Sequence, residues 1–264
     1  MTASLLKPTE RIDDLVTQNL KIIQSGEVFS FSLDAVLLAR FCTVPPAGRI
    51  ADLCSGNGVI PLLLSTRTNA RITGVEIQER LWDMAVRSVK LNGLEDRVAF
   101  VCRDAREWAR ERKQHQAFDL VTVNPPWLPV PAGDLNLNGH VAIARHELTG
   151  TLEDFIAAAA RLVKPGGRVA MVHRPGRFID IVTLMRQYRL EPKRVRFVHP
   201  RAGAEANMVL IESRRDGKPD VWVVPPVFVC HVNRQATAVL LGVFRSLIHI
   251  LTLPTSATVQ TNVP

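Results

Sequence analysis

Residues 49–58 read Arg49-Ile-Ala-Asp-Leu-Cys-Ser-Gly-Asn-Gly58, an apolar strand that ends in Asp52 and a turn of small residues. A helical run follows the turn. This order is typical of an α/β sheet that binds a ligand at the carboxyl end of a strand, where Gly56 and Gly58 let the ligand approach the backbone. A dinucleotide fingerprint would need a third glycine where this chain has Pro61, so a pyrophosphate site is disfavoured.

Strand and helix patterns alternate through the rest of the chain and predict a Rossmann-like, doubly wound α/β sheet of seven strands. We expect strands near residues 49–54, 71–76, 98–101, 118–123, 168–173, 194–199 and 207–213, and helices near 58–68, 79–92, 105–113, 151–163 and 177–188. Lys164-Pro-Gly-Gly167 should turn the chain from a helix into the fifth strand. These patterns divide the chain into an N-terminal extension (1–48), the α/β domain (49–228) and a tail of unknown role (229–264).

Polar side chains follow four of these strands in turn: Asp52, Glu76, Asp104 and Asn124. Ligands in such sheets lie outside the carboxyl ends of the strands, so these side chains should converge in one crevice. Asp52 suits a cationic amino-acid group such as that of S-adenosylmethionine, Glu76 can chelate two ribose hydroxyls, and Asp104 with Ala105 can bind an adenine edge. One such acid alone is equally an ordinary loop carboxylate, but the full series predicts a cofactor site, to which we add Ser55 and Ile77.

Asn124-Pro125-Pro126-Trp127 follows the fourth predicted strand directly. The Asn124 side-chain oxygen and the Pro125 carbonyl can accept both N–H bonds of a planar amine, and the two prolines stiffen the turn. Trp127 can stack on a flat target group, which is worth about 1–3 kcal/mol for a base. The pattern therefore predicts methylation of an amide or base nitrogen, although a Pro-Pro turn that closes a strand over a half-buried Trp explains the tetrapeptide alone equally well.

The N-terminal segment contains Phe29-Ser-Phe-Ser-Leu-Asp34, an aromatic pair with a possible helix cap at Ser32. A helix should follow. Asp34 would lie near the start of this helix and could close the cofactor pocket, or it could be an exposed carboxylate of the first turn.

The composition predicts an enzyme-sized, cytoplasmic protein. The chain has 264 residues, of which 47% are hydrophobic and 22% charged, enough for a full core. Its four cysteines form no C-x-x-C pair, so neither a metal site nor a disulfide framework is expected. No signal peptide or transmembrane span is recognisable.

Positive charge is concentrated between residues 161 and 218, where 14 Lys and Arg stand against five Asp and Glu. Such a surplus predicts an RNA phosphate contact, with a solvated basic face as the alternative. The candidate RNA-binding residues are Arg174, Arg177, Lys193, Arg194 and Arg196, without compensating acids. Residues 129–148 look like a lid or substrate loop, and Arg145-His146-Glu147 at its end is expected to orient substrate or support structure.

Together the strand-end series and the Asn-Pro-Pro-aromatic turn resemble the amino-methylating branch of class I S-adenosylmethionine-dependent methyltransferases. Over residues 10–228 the chain is most similar to the bacterial tRNA valine adenine-N6-methyltransferase group. The resemblance implies S-adenosylmethionine as cofactor and tRNA as partner, with the adenosine just 3′ of the anticodon as target. Two features depart from the family: Trp127 stands where Tyr is usual, and similarity stops at Cys230.

Three other functions remain open on the sequence alone. A protein glutamine N5-methyltransferase uses the same turn, but it normally carries a large helical domain before the first strand, where this chain has 48 residues. A ribosomal RNA guanine-N2-methyltransferase fits the motif too. A non-catalytic RNA-binding module would not need the whole strand-end series.

Overall fold

The computed structural model describes residues 5–15, 19–28, 33–127 and 150–230. Its strands are β1 (Glu10–Asp14), β2 (Lys21–Ser25), β3 (Arg49–Leu53), β4 (Arg71–Glu76), β5 (Val98–Cys102), β6 (Phe118–Val123), β7 (Val163–His173), β8 (Leu190–Arg201), β9 (Met208–Arg215), β10 (Trp222–Val223) and β11 (Val227–Cys230). Its α-helices are α1 (Leu33–Phe41), α2 (Val59–Ser65), α3 (Glu79–Leu91), α4 (Ala105–Trp108), α5 (Leu152–Leu162) and α6 (Phe178–Gln187). Short 3₁₀ turns cover Arg112–Gln114 and Pro175–Arg177.

The main sheet has the order β10-β8-β9-β7-β6-β3-β4-β5, and β11 also pairs with β8. Only β9 runs antiparallel to its neighbours among these described strands. The predicted doubly wound α/β sheet is confirmed, since the seven expected strands are β3 to β9. The chain proceeds outward in opposite directions from β3 and from β6, so a crevice opens at their carboxyl ends.

Helices cover both faces because alternate strand residues point to opposite sides. Ile50 and Leu120 pack with α1 and α2 on one face, whereas Ala51 and Val121 pack with α5 and α6 on the other. The apolar, β-branched composition of the central strands is typical of a sheet that is buried on both faces.

Two local predictions were wrong. The helix expected over residues 105–113 stops after one turn at Trp108, whose ring packs on Phe118 with centroids 5.5 Å apart, and Arg112–Gln114 forms a separate 3₁₀ turn. Residues 164–167 form no separate turn but a bulge inside β7: Phe118 pairs with Val163, whereas Leu120 already pairs with Arg168.

The N-terminal hairpin of β1 and β2, which the sequence reasoning missed, packs on α3. The backbone N–H of Ile23 donates to Ser88 Oγ at 3.0 Å, and Arg87 forms an ion pair with Glu10 at 2.6 Å. The extension thus adds a small second sheet beside the main one. The limits predicted for the three segments of the chain stay predictions.

Glu212 on β9 joins α1 to the far half of the sheet. Its fully buried carboxylate accepts from the Thr43 backbone N–H at 2.5 Å and from Thr43 Oγ1 at 2.9 Å, just beyond the end of α1. Arg168 and Arg194 each approach the same carboxylate at 3.4 Å. Paired in this way, the buried charge ties three strands and a helix together.

Several expectations fall outside the described residues: the Phe29 to Ser32 cap, the loop 129–148 with Arg145-His146-Glu147, and the tail beyond Cys230. Within the described ranges, every helix is too short or too polar to pass through a bilayer. The same ranges contain no group of His, Cys, Asp and Glu suited to a metal ion.

Candidate active site

A cavity of about 610 Å³ lies at the carboxyl ends of the central strands. This volume is within the range of about 300–1,000 Å³ that small-molecule sites occupy. Its described wall includes Leu33, Asp34, Cys54, Ser55, Gly56, Glu76, Ile77, Asp104, Ala105, Asn124, Pro125, Pro126, Trp127, Phe155, Arg174, Asn207 and Met208. The predicted convergence of strand ends is therefore present.

The turn after β3 opens one side of the cavity. Gly56 has a φ of +56°, and a Cβ atom added there would meet nothing within 4 Å, so a ligand can approach this backbone closely. Gly58 does not line the cavity. It has a φ of +88°, and an added Cβ would lie 2.7 Å from Phe100, so this glycine is needed for packing; the ligand contact expected of it stays a prediction.

Asp52 lies behind the wall rather than in it. The carboxylate is fully buried and accepts hydrogen bonds from Ser55 Oγ and Thr122 Oγ1, both at 2.6 Å. Burial raises the pKa of this carboxyl to about 7, against the lowering effect of the two hydroxyls. In the described structure this carboxylate supports the turn, and its contact with a cationic ligand group stays a prediction.

Glu76 reaches the cavity from the end of β4. Oε2 accepts from the Gly56 N–H at 2.7 Å and Oε1 from the Gln78 N–H at 2.8 Å. Burial raises the pKa of this carboxyl, and the backbone hydrogen bonds oppose the rise. Each oxygen keeps lone pairs for further donors, such as hydroxyl groups.

Asp104 caps α4 and stands beside Ala105 in the wall. Its carboxylate accepts from the Arg106 backbone N–H at 2.8 Å and forms an ion pair with the Arg106 guanidinium at 2.5 Å. Burial works to raise the pKa of Asp104, but Arg106 outweighs it and lowers the pKa below its usual value. Ile77, 41% exposed, supplies an apolar surface nearby.

The Asn124–Trp127 turn forms the opposite wall. Pro125 and Pro126 are buried, while Asn124 and Trp127 remain partly exposed to the cavity. Asn124 Nδ2 donates to Asp34 Oδ2 at 3.1 Å, and the Trp127 indole N–H donates to Asn124 Oδ1 at 3.3 Å. A polar acceptor and an aromatic plate therefore face the same space.

His173 lies next to Trp127 and was not recognised in the sequence. The ring centroids are 6.0 Å apart with an interplanar angle of 30°. Nδ1 accepts from the Arg174 N–H at 2.9 Å, whereas Nε2 is buried without a hydrogen-bond partner in the described structure. Burial, together with the nearby Arg177 and Arg174 charges, lowers the pKa of His173 to about 4.

The expectation that the basic residues lack acidic partners was wrong. Arg177 pairs with Asp180 at 2.8 Å, and Arg194 pairs with buried Glu212. The Arg194 and Arg196 guanidinium groups lie over the Phe41 ring of α1, at 4.7 and 5.9 Å.

Two of these basic side chains, Arg194 and Arg196, lie on the face of the sheet that α1 covers. Val195 packs into the core beneath α6, so Arg194 and Arg196 on either side of it point to the opposite face. Lys193 Nζ donates to the Lys218 carbonyl at 2.8 Å. Of the five candidates, only Arg174 lines the cavity, where it is exposed.

Phe155, Asn207 and Met208 complete the wall, and no sequence signal identified them. Phe155 belongs to the buried face of α5. Met208 is the first residue of the antiparallel strand β9, and Asn207 comes directly before it. Their place at the cavity follows from strand order, which brings β9 beside β7.

Comparison with known proteins agrees with this geometry. The sequence profile of the methyltransferase small domain matches residues 19–189. A tRNA1(Val) (adenine(37)-N6)-methyltransferase of Aeromonas hydrophila is 33% identical over 186 residues, covering 69% of this chain and 75% of that protein. An enzyme of the same name from Porphyromonas gingivalis is 31% identical over 201 residues, covering 73% and 77%.

Solved structures are similar at the level of fold. A predicted O-methyltransferase of Agrobacterium tumefaciens superposes with a TM-score of 0.63 at 22% identity, covering 79% of this chain and 93% of that chain. A geranyl diphosphate C-methyltransferase of Streptomyces coelicolor A3(2), solved with S-adenosyl-L-homocysteine, has a TM-score of 0.50 at 16% identity, covering 69% and 74%.

The doubly wound sheet and the strand-end cavity define a class I methyltransferase. The match over residues 19–189 assigns the chain plainly: it belongs to the methyltransferase small domain family. It is therefore an enzyme, as its sequence predicted.

His173 should make the folded state sensitive to acid. The folded imidazole binds a proton only near pH 4, whereas the unfolded one does so near 6.5, so the unfolded chain takes up more protons between these values. We expect this group to lower the free energy of unfolding by about 1.4 kcal/mol per pH unit within that window as pH falls. Denaturant titrations of wild type and His173→Phe across the window will measure it.

The free energy of unfolding of wild type minus that of His173→Phe should therefore decrease as pH falls from 6.5 to 4. His115→Phe, at an exposed position, is the surface control. Parallel pH profiles for wild type and His173→Phe would show that His173 titrates normally.

Proposed function

We propose that this enzyme transfers a methyl group from S-adenosylmethionine to N6 of an adenosine in tRNA, at the position named for its relatives, 37 of tRNA1(Val). The observation that carries the proposal is the Asn124–Trp127 turn facing the Gly56 and Glu76 wall across one cavity. The names of the relatives favour adenine over the glutamine and guanine-N2 alternatives. A cytoplasmic location is part of the proposal.

The described residues fit this cofactor. The open space over Gly56 suits its amino-acid part, the buried Glu76 carboxylate can accept from ribose hydroxyls, and Ile77 with Ala105 offers an apolar surface for adenine. Asp104 lies beside that surface as an acceptor. S-adenosylmethionine supplies a methyl group that is activated by a sulfonium centre.

Asn124 and Trp127 would prepare the target nitrogen. The lone pair of an adenine amine is delocalised into the ring, so an acceptor that draws on its N–H bonds favours attack on the methyl carbon. Asn124 Oδ1 is such an acceptor, and it gains strength as positive charge develops on nitrogen. As the new N–C bond forms, the methyl–sulfur bond of the cofactor would break with its electron pair remaining on sulfur. The nitrogen would then release one proton to solvent water and return to neutrality. Trp127 would stack on the base after it leaves the RNA stack.

The RNA contact is proposed to centre on Arg174. This side chain is exposed at the cavity mouth, where it can meet a phosphate beside the target nucleotide. Arg177, at the end of the 3₁₀ turn that follows Arg174, is a second candidate contact. Lys193, Arg194 and Arg196 remain candidate RNA contacts, although their internal partners also give them a role in stability.

Glu76 should be required for cofactor affinity. Glu76→Ala removes a charged hydrogen-bond acceptor worth about 1.5–3 kcal/mol, and S-adenosylmethionine binding measured by calorimetry should weaken at least tenfold. Glu79→Ala, in the exposed first turn of α3, is the matched control and should bind as wild type does. Unchanged affinity of Glu76→Ala would remove this residue from the site.

Methylation of tRNA tests the proposed activity directly. Purified enzyme with S-adenosylmethionine should form N6-methyladenosine in unmodified valine tRNA, detected by nucleoside mass spectrometry. Asn124→Ala should slow single-turnover transfer by about 10²-fold or more with little change in tRNA affinity. Trp127→Tyr should retain most of the rate, because a stacking ring remains. No methyladenosine with wild-type enzyme would refute the proposal.

Arg174 and Arg194 should differ in RNA binding. Arg174→Ala should weaken tRNA affinity and reduce the log–log salt slope by about 0.7–0.9, the value for one phosphate contact. Arg194→Ala removes a partner of Glu212, so it should lower stability and change the slope less than Arg174→Ala does. Filter binding over a salt series, with thermal unfolding of both variants, separates the two effects; an identical change of slope in both would contradict it.

A further inference from the structure

The Asn124 amide is oriented from both ends. The oxygen and the NH₂ group of an asparagine are similar in shape and opposite in chemistry, so a reversed amide would offer donors where an acceptor is needed. Here Nδ2 donates to the Asp34 carboxylate at 3.1 Å, while Oδ1 accepts from the Trp127 indole at 3.3 Å. A carboxylate takes hydrogen bonds and an indole N–H only gives them, so both partners select the same orientation.

Asp34 is well placed to exert this selection. It lies in the first turn of α1, 90 residues from Asn124 in sequence, and it is only 8% exposed. Its helix is joined to the sheet through Thr43 and Glu212 at the other end. Buried on an anchored helix, this carboxylate is held within hydrogen-bond distance of Nδ2.

The hydrogen bond from the Trp127 indole concerns the acceptor atom of the amide, Asn124 Oδ1. Its N–H donates to Asn124 Oδ1 at 3.3 Å, and both Asn124 and Trp127 line the cavity. A target amine N–H entering that space would meet the same oxygen. With the amide reversed, the target would meet an NH₂ group instead, and two donors would repel each other.

We propose that Asp34 is a positioning residue for methyl transfer, which keeps Asn124 Oδ1 directed at the target amine. This inference rests on the proposed role of Asn124. It assigns Asp34 to the substrate side of the reaction, although the sequence placed this residue in the cofactor pocket. Asp34 acts through Asn124, so its contribution exists only while the amide is present.

A double-mutant cycle tests this dependence. Single-turnover methyl transfer to valine tRNA is measured at saturating S-adenosylmethionine and tRNA for wild type, Asp34→Ala, Asn124→Ala and the double variant. Asp34→Ala should slow transfer about tenfold or more, as expected when a charged acceptor is lost. The double variant should be no slower than Asn124→Ala alone. Independent, multiplying effects would overturn the inference.

Cofactor affinity separates positioning from a direct cofactor contact. Calorimetry should find S-adenosylmethionine binding of Asp34→Ala within about threefold of wild type; a loss of tenfold or more would mean that Asp34 binds the cofactor. Asp34→Asn keeps an oxygen that can accept from Nδ2 and should restore part of the rate. It also replaces Asp34→Ala in the cycle if the alanine variant does not fold.

Glu153→Ala is the matched control, since Glu153 is an exposed first-turn carboxylate on α5 outside the described cavity wall. It should transfer methyl groups at the wild-type rate, and a tenfold loss there would indicate a general effect of helix charge. If wild-type enzyme forms no methyladenosine, the proposed function fails and this inference fails with it. If wild type is active and the cycle is additive, only the role of Asp34 is refuted.

Discussion

The buried carboxylate of Asp52 connects the two halves of the site. It lies between β3 and β6, where the order of the sheet reverses, and it binds Ser55 of the cofactor turn and Thr122 just before Asn124. The distance between the proposed cofactor wall and the proposed substrate wall therefore depends on one polar cluster without solvent access. A carboxylate that lost these hydroxyls would be left buried and unsatisfied, which proteins tolerate poorly.

The cavity is divided along the sheet. Strands β3, β4 and β5 contribute the glycine turn, Glu76 and the residues around Asp104, whereas β6, β7 and β9 contribute the Asn124 turn, Arg174 and Met208. This division matches a two-substrate reaction in which one ligand is a nucleoside and the other is a flat group on a larger molecule. A single cavity with both walls lets the two reacting atoms meet while most of each ligand remains on its own side.

The sequence located residues whose place at the cavity follows from their position at a strand end. Gly56, Glu76 and Asn124 were recognisable because an apolar strand, a turn and a polar residue occur within ten positions of each other. Asp52 stands at a strand end as well, but its side chain is buried against Ser55 and Thr122. Only the packing decides whether a strand-end side chain points to the cavity or to the neighbouring strand. The arrangement of the basic side chains could not be predicted for a related reason: charge density along the chain does not reveal which face of a strand carries each residue.

Helix α1 connects the Asn124 side chain at the cavity to the buried Glu212 carboxylate in the core of the sheet. The helix is about 13 Å long for its nine residues, with Asp34 against Asn124 near one end and Thr43 on Glu212 just past the other. A substitution at Glu212 would remove the contact that holds Thr43 just past the end of this helix, and we expect the effect to reach the Asn124–Trp127 turn through Asp34. Inactivating changes in such an enzyme can therefore arise on a strand two positions away from β6 and the Asn124 turn, in a core position that comparison of active sites alone would pass over.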